Sequence, residues 1–347
     1  MVRNRWCIWL FASLVAVALA GCGGKSSSSG GTTSATTSGG KKIKIGLVTD
    51  IGGLNDRSFN HLNYVGLLRA QKELGVQGRV LESHAASDYV PNLSTLAQQH
   101  YNLVIGVGFL MADAVDTVAT KFPNVSFAIV DFSQTALKHK PTNVEGILFK
   151  EQESGYLAGY LAGLVVAHQG GKQVVSTVGG QKIPPVDRYI AGFQAGAKAA
   201  DPGVKTLNAY SQDFVDQAKC KELALNQIAA GSQVVMQVAG GCGLGALDAA
   251  KEKHVWGIGA DADQSFLGPY ILTSALKKDD VAVFKVIKSV QDGTFKGGRD
   301  VVFDVSSGAA GLGKIAASVP KSIVQKALQK QKDLAEHKVA SIPTTVG

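Results

Sequence analysis

Three aspartates stand where predicted strands run out: Asp50 after 43–49, Asp131 after 126–130 and Asp261 after 255–258. An ionised carboxylate accepts hydrogen bonds and donates none, so three of them suit a ligand that presents N–H and O–H groups. In open α/β sheets ligands collect beyond the carboxyl ends of the strands. Around the first aspartate, Asp50-Ile-Gly-Gly-Leu-Asn-Asp-Arg-Ser-Phe-Asn60 adds glycines, an amide and an aromatic ring. A helix with Leu62, Val65 and Leu68 on one face follows at once. Taken singly, each aspartate reads equally as a helix cap or turn residue. Three in equivalent places point to a site.

The elements that must position them alternate. Strand patterns at 43–49, 79–82, 103–106 and 126–130 are separated by helical patterns at about 56–74, 90–100 and 111–121. After 142–150 the rhythm restarts, with helices at about 151–168, 186–200, 215–230 and 243–252 between strands at 173–177, 205–209, 233–238 and 255–258. A strand-like run at 270–276 follows. Such alternation implies an α/β protein with parallel, doubly wound sheets and right-handed crossovers. Each half also carries strand, glycine turn, helix, strand, aspartate: Asn102-Leu-Val-Ile-Gly-Val-Gly108 leads to Asp131, and Gln233-Val-Val-Met-Gln-Val-Ala-Gly-Gly241 leads to Asp261. Two Rossmann-like lobes with facing strand ends would gather all three aspartates around one cleft.

The amino terminus carries a targeting signal. Arg3 and Arg5 precede an apolar segment from Trp6 to Ala20, of signal-peptide length and short for a membrane span. Leu19-Ala20-Gly21-Cys22 closes it and resembles a lipobox, so residues 1–21 are expected to be removed and Cys22 to be acylated. Residues 22–42, largely Gly, Ser and Thr, would be a flexible tether. Lipid anchorage on the extracytoplasmic face of the cell membrane follows.

Of four cysteines, Cys7 leaves with the signal and Cys22 takes the lipid, so Cys220 and Cys242 remain for an oxidising compartment. They fall near a helix start and just past the next strand, at the same sheet edge of a βαβ unit. A disulfide and a pair of buried free thiols are both open readings. No His or second Cys stands at metal-ligand spacing, so no metal and no cofactor are expected.

The whole chain has a formal charge of +8, and loss of Arg3 and Arg5 leaves 8 − 2 = +6. The lysines are scattered over helices without interleaved aromatics, which argues against nucleic acid and for solvated helix faces. One enzyme motif can be traced. Gly241-Cys-Gly-Leu-Gly-Ala246 fits G-x-G-x-x-A, with Asp261 downstream as the acidic partner of a dinucleotide site. It lies in the second half of the chain, and an exported protein meets no pool of reduced nicotinamide. No Ser-His-Asp or Cys-His arrangement is evident, so the chain reads as a binder and not an enzyme.

The block Gly46-Leu-Val-Thr-Asp-Ile-Gly-Gly-Leu-Asn-Asp-Arg-Ser-Phe-Asn60 resembles the start of the basic membrane protein family, substrate-binding lipoproteins of ABC importers for nucleosides. Phe127-Ala-Ile-Val-Asp131, Glu153-Ser-Gly-Tyr-Leu-Ala-Gly159, Gly192-Phe-Gln-Ala-Gly196, Asp261-Ala-Asp-Gln264 and Thr273-Ser-Ala-Leu-Lys277 agree with it. The resemblance implies a type I periplasmic-binding-protein fold, with a first lobe of 43–147 plus 268–304 and a second of 148–267 plus 305–347. It further implies a monomer that binds nucleosides, purines above all, and delivers them to a membrane permease. Phe59 and Phe214 would stack on the base and Asp131 would read its edge. Asp261, with Lys277 near it, would hold the ribose, and Asp50, Asn60 and Gly240 would add contacts. By spacing alone Phe59 reads as core, Phe214 as either packed or cleft-facing, and Lys277 as a surface charge. The same lobes binding a sugar or an amino acid are the alternative. Two departures from the family pattern stand out: His61 where glutamine is expected, and Cys242 where a small or hydroxyl residue is usual.

Overall fold

The computed structural model describes residues 42–339 and 341–347. The expected signal (1–21), Cys22 and the tether as far as residue 41 lie outside the described residues. In the first lobe the β-branched runs β1 (Lys44–Val48), β3 (Leu103–Gly106) and β4 (Ser126–Val130) are buried on both faces, as a parallel sheet covered by helices requires. They pair with β2 (Gln77–Leu81), β5 (Val144–Phe149) and β11 (Arg299–Phe303) in the order β11-β5-β4-β3-β1-β2, every pair parallel. Helices α1 (Phe59–Leu74), α2 (Tyr89–Gln98) and α3 (Ala112–Lys121) alternate with the strands, and α8 (Asp279–Gln291) packs on α1.

The second lobe repeats the plan with β6 (Val174–Gly179), β7 (Lys205–Tyr210), β8 (Ser232–Val238), β9 (Trp256–Asp261), β10 (Ile271–Lys277) and β12 (Ala310–Leu312). Their order is β12-β10-β9-β8-β6-β7, parallel except for β12, which runs antiparallel to β10. Helices α4 (Glu151–Gln169), α5 (Pro184–Ala200), α6 (Gln217–Ala229), α7 (Gly240–Glu252) and α9 (Lys321–Ala335) complete it. Three stretches of chain join the lobes: Lys150 between β5 and α4, Lys278 between β10 and α8, and 304–309 between β11 and β12.

Those crossings correct the boundaries expected from sequence. The run 271–277 was expected in the first lobe, but it pairs with β9 in the second sheet, with Ala275 opposite Ala260. The crossing therefore falls at Lys278 rather than near 268. The connection from β9 is short for a parallel crossover, and nothing local announces which sheet the strand will join. Likewise 144–149 forms a first-lobe strand, which moves the first crossing to Lys150.

The glycines of the two family-like blocks have a packing role. Gly155 and Gly159 on α4 face Gly192 and Gly196 on α5, and a Cβ at any of them would overlap a backbone carbonyl of the other helix. The helices thus meet backbone to backbone, and α5 is held where Tyr189 reaches the cleft. Nearby, Cys220 of α6 and Cys242 of α7 form a disulfide inside a buried apolar cluster, with Cα atoms 5.6 Å apart. Gly159→Ala should lower stability by about 3 kcal/mol, at the upper end for overpacking, because backbone cannot rotate away. Urea unfolding measures it, and a loss below about 0.5 kcal/mol, the surface-substitution range, would contradict the close approach.

Candidate functional site

The carboxyl ends of both sheets face one another across a cavity lined from both lobes. Asp131 follows β4 and Asp261 ends β9, and both hold left-handed backbone conformations, φ 67° and 61°. Aspartate tolerates that region better than most residues, at some conformational cost. The same unusual turn at the same place in each lobe aims both carboxylates at the cleft.

Lys277 comes from the end of β10, and its ammonium crosses to the first lobe. Nζ lies 2.7 Å from Asp131 Oδ2, 3.9 Å from Asp279 Oδ1 and 4.4 Å from the centre of the Phe59 ring. The side chain is 4% exposed, so this is a buried charge and not the surface lysine that spacing suggests. Burial works against the ammonium, but Asp131, Asp279, Asp261 and Glu151 outweigh it and hold Lys277 well above its ordinary range. Its hydrogen bond goes to Asp131, and Asp261 lies near enough for its charge to act on the ammonium. Asp131 is left with Oδ1 buried and without a partner.

Asp56, which sequence reasoning missed, organises the loop between β1 and α1. Its carboxylate accepts from the backbone N–H groups of Ser58, Asn60 and His61, satisfying donors that a helix start leaves free. Burial nevertheless pushes its pKa up to about 6. Asn60 then donates to Asp50 Oδ1 at 2.7 Å, and Gly52 N–H donates to the same oxygen at 3.0 Å. Asn60 Oδ1 is buried with no partner. Desolvation raises the Asp50 carboxyl despite these bonds.

In the second lobe Tyr189 donates to Asp261 Oδ1 at 3.0 Å. Ser58, from the first lobe, places Oγ 2.9 Å from Asp261 Oδ2 and 2.9 Å from the Ala260 carbonyl oxygen. Phe214 precedes α6, and its ring lies where Gly180 has no room for a Cβ. Gly240, at φ 53°, lies beside the Phe214 backbone, and Cys242 N–H donates to the Phe214 carbonyl. All eight residues expected around the ligand, Asp50, Phe59, Asn60, Asp131, Phe214, Gly240, Asp261 and Lys277, line this one cavity. Sequence reasoning also missed Tyr189 and an apolar wall of Phe109, Leu110, Ile183, Pro185 and Val186. Phe109 follows the Gly106-Val-Gly108 turn and so carried a signal; Tyr189, in mid-helix, carried none.

The dinucleotide-like glycines fall inside α7. Gly245 packs against the Gln217 carbonyl and Gly243 against Gln237, so they serve helix packing rather than a phosphate loop. Among the described residues no His, Cys, Asp or Glu cluster is placed to hold a metal ion. No helix among them is long and apolar enough to cross a membrane.

Two similar α/β lobes, with strand ends converging on a shared cavity, define a type I periplasmic-binding-protein fold, the class that captures small solutes. Residues 42–344 match the family described as ABC transporter substrate-binding protein PnrA-like, and the chain belongs to that family. It is similar to the ABC transporter nucleoside-binding protein BmpA of Lactococcus lactis, 34% identical over 308 residues and covering 82% of this chain and 86% of that protein. An uncharacterized lipoprotein of Pyrococcus horikoshii is 35% identical over 309 residues, covering 86% and 74%. A crystal structure of an ABC transporter solute-binding protein from Aeropyrum pernix superposes with a TM-score of 0.78 at 25% identity, covering 87% of this chain and 94% of that one. The chain is therefore a substrate-binding protein of an ABC transporter, with a ligand and a permease as partners, and not an enzyme.

Breaking the ion pair on one side should be costly. Lys277→Met leaves several buried carboxylates without their cation and should destabilise by about 3–5 kcal/mol in urea unfolding; an unchanged midpoint would show that the pair is not buried. Glu151, at the first crossing, is pushed by burial and by Asp131 from 4.5 to about 7, opposed by Lys277 and Arg188. A carboxyl raised on folding binds its proton more tightly in the native state, so stability falls as pH rises from about 4.5 to 7. Glu151→Gln should make that fall shallower in unfolding measured across pH; an unaltered slope would contradict the assignment.

Proposed function

We propose that the chain binds nucleosides, purine nucleosides first, and hands them to its permease while held to the membrane by lipid on Cys22. The observation that carries the reading is the pairing of two aromatic rings, Phe59 from the first lobe and Phe214 from the second, with Asp131 Oδ1, a buried acceptor lacking a partner. A base stacked on one such ring gains about 1–3 kcal/mol with little preference among bases. Hydrogen bonding then falls to this acceptor, which takes an N–H from the edge of the stacked base. Lys277 fixes Asp131 through a hydrogen bond to Oδ2, so the acceptor is oriented before the base arrives.

Asp261 is suited to ribose hydroxyls, since a carboxyl oxygen can accept more than one bond. Asn60 Oδ1 is a further acceptor lining the cavity, oriented by the bond its amide makes to Asp50, and Gly240 lets the backbone approach closely. Lobe closure is the capture step in this reading. The open form exposes the strand ends, contacts with both lobes form only on closing, and the permease meets the closed monomer. The name of the Lactococcus lactis relative supports nucleosides over sugars or amino acids.

Calorimetric titration with adenosine, guanosine, uridine, free adenine, ribose and amino acids tests the reading. Heat with purine nucleosides is expected; heat only with sugars or amino acids would overturn it. Asp131→Asn, which offers a donor where an acceptor stood, should weaken purine nucleoside binding by about 2 kcal/mol, roughly thirtyfold in Kd. Equal affinity would remove Asp131 from base recognition.

A further inference from the structure

The contact that Ser58 makes across the cleft does not balance with Asp261 ionised. Ser58 Oγ lies 2.9 Å from the Ala260 carbonyl oxygen and 2.9 Å from Asp261 Oδ2, and Ser58 is fully buried. A hydroxyl carries one proton, a carbonyl carries none, and an ionised carboxylate carries none. Two acceptors would share one donor, leaving one pair of buried oxygens facing each other with no hydrogen between them. Tyr189 OH lies 3.0 Å from Asp261 Oδ1 and 3.4 Å from the Ala275 carbonyl oxygen, so its proton goes to Oδ1, the nearer acceptor, and Oδ2 is the oxygen that faces Ser58.

We propose that Ser58 is a positioning residue for lobe closure: in the closed form Asp261 is a carboxylic acid whose Oδ2–H donates to Ser58 Oγ, while Ser58 donates to the Ala260 carbonyl. Closing the cleft therefore takes a proton from solvent onto Asp261, and opening returns it. The groups facing Asp261 are Lys277 on β10, Asp131 after β4, Tyr189 on α5 and Asp279 at the start of α8, with Asp56 on the far side of Ser58. Desolvation raises the Asp261 carboxyl; Lys277, Ser58 and Tyr189 act against it, and Asp131 with it. A carboxyl raised on closing favours the closed form at low pH, and that preference is lost as pH rises.

Ser58 is suited to the role because Asp56 accepts its backbone N–H at 3.0 Å and fixes the start of α1. Its hydroxyl is thereby delivered to the opposite lobe from a rigid loop. The closing contact is sensitive to a single proton, and the ligand arrives beside the group that carries it. The proposal rests on the lobe-closure part of the functional reading and not on the identity of the solute.

Small-angle X-ray scattering of the protein without added solute, across the pH range in which it stays folded, tests it. The native chain should be compact at the lower pH and lose that compactness at the higher one. Ser58→Ala should remove the pH response and stay expanded, whereas Ser58→Thr, which keeps the hydroxyl, should restore it. Asp261→Asn, whose amide can donate to Ser58 at any pH, should remain compact throughout. A native profile that does not move with pH overturns the proposal, as does a Ser58→Ala chain that responds like the native one. Adding adenosine separates the two readings: a pH response in the native chain with no effect of adenosine would count against the nucleoside and leave the latch standing.

Discussion

Lys277 carries a positive charge into a place that water does not reach, and the rest of the cleft is arranged around that fact. An isolated ammonium there would be prohibitively costly, so the acidic groups of Asp131, Asp279, Asp261 and Glu151 surround it. They come from both sheets and from two of the crossings between them. The carboxylates depend on the lysine in turn, because four acids cannot all ionise in so small a buried volume without a cation. The arrangement ties the electrostatics of the pocket to the geometry of the joint between the lobes.

That dependence explains why polar atoms without partners accumulate here. Asp131 Oδ1, Asn60 Oδ1, Glu151 Oε1 and both oxygens of Asp279 are buried without a hydrogen-bond partner. Buried acceptors of this kind are rare in a stable core and are expected where a ligand or a proton completes them. The two left-handed aspartates add backbone strain at the same spots. Local stability is given up where the molecule has to respond, while the double-sided burial of β1, β3, β4 and β8 supplies it elsewhere.

Much of this was legible in the sequence, because it was written in local order. Strand, glycine turn, helix, strand, aspartate appears twice, and a parallel sheet turns that order directly into strand ends meeting at a cleft. Asp50, Phe59, Asp131, Phe214 and Asp261 could be placed on that basis together with the family likeness. What escaped depends on contacts between distant segments. Ile271–Lys277 reads as a strand, but its sheet is decided by pairing with Trp256–Asp261. Tyr189 and Ser58 meet at Asp261 only once helix packing and lobe docking are complete. Helix α8 was not anticipated, and α9 buries only Ile323, Ala327 and Leu334 among lysines and glutamines, which makes a faint stripe.

The disulfide between Cys220 and Cys242 has a consequence for how the pocket recognises a solute. It joins the helix that begins just after Phe214 to the helix that begins at Gly240, and the Cys242 N–H also holds the Phe214 carbonyl. One aromatic wall is thereby secured to the sheet edge before any solute enters. The ordering entropy of that wall is lost when the thiols are oxidised and not at each encounter. A reduced chain would keep the same contact surface on a less constrained wall and would meet that ordering cost at each encounter.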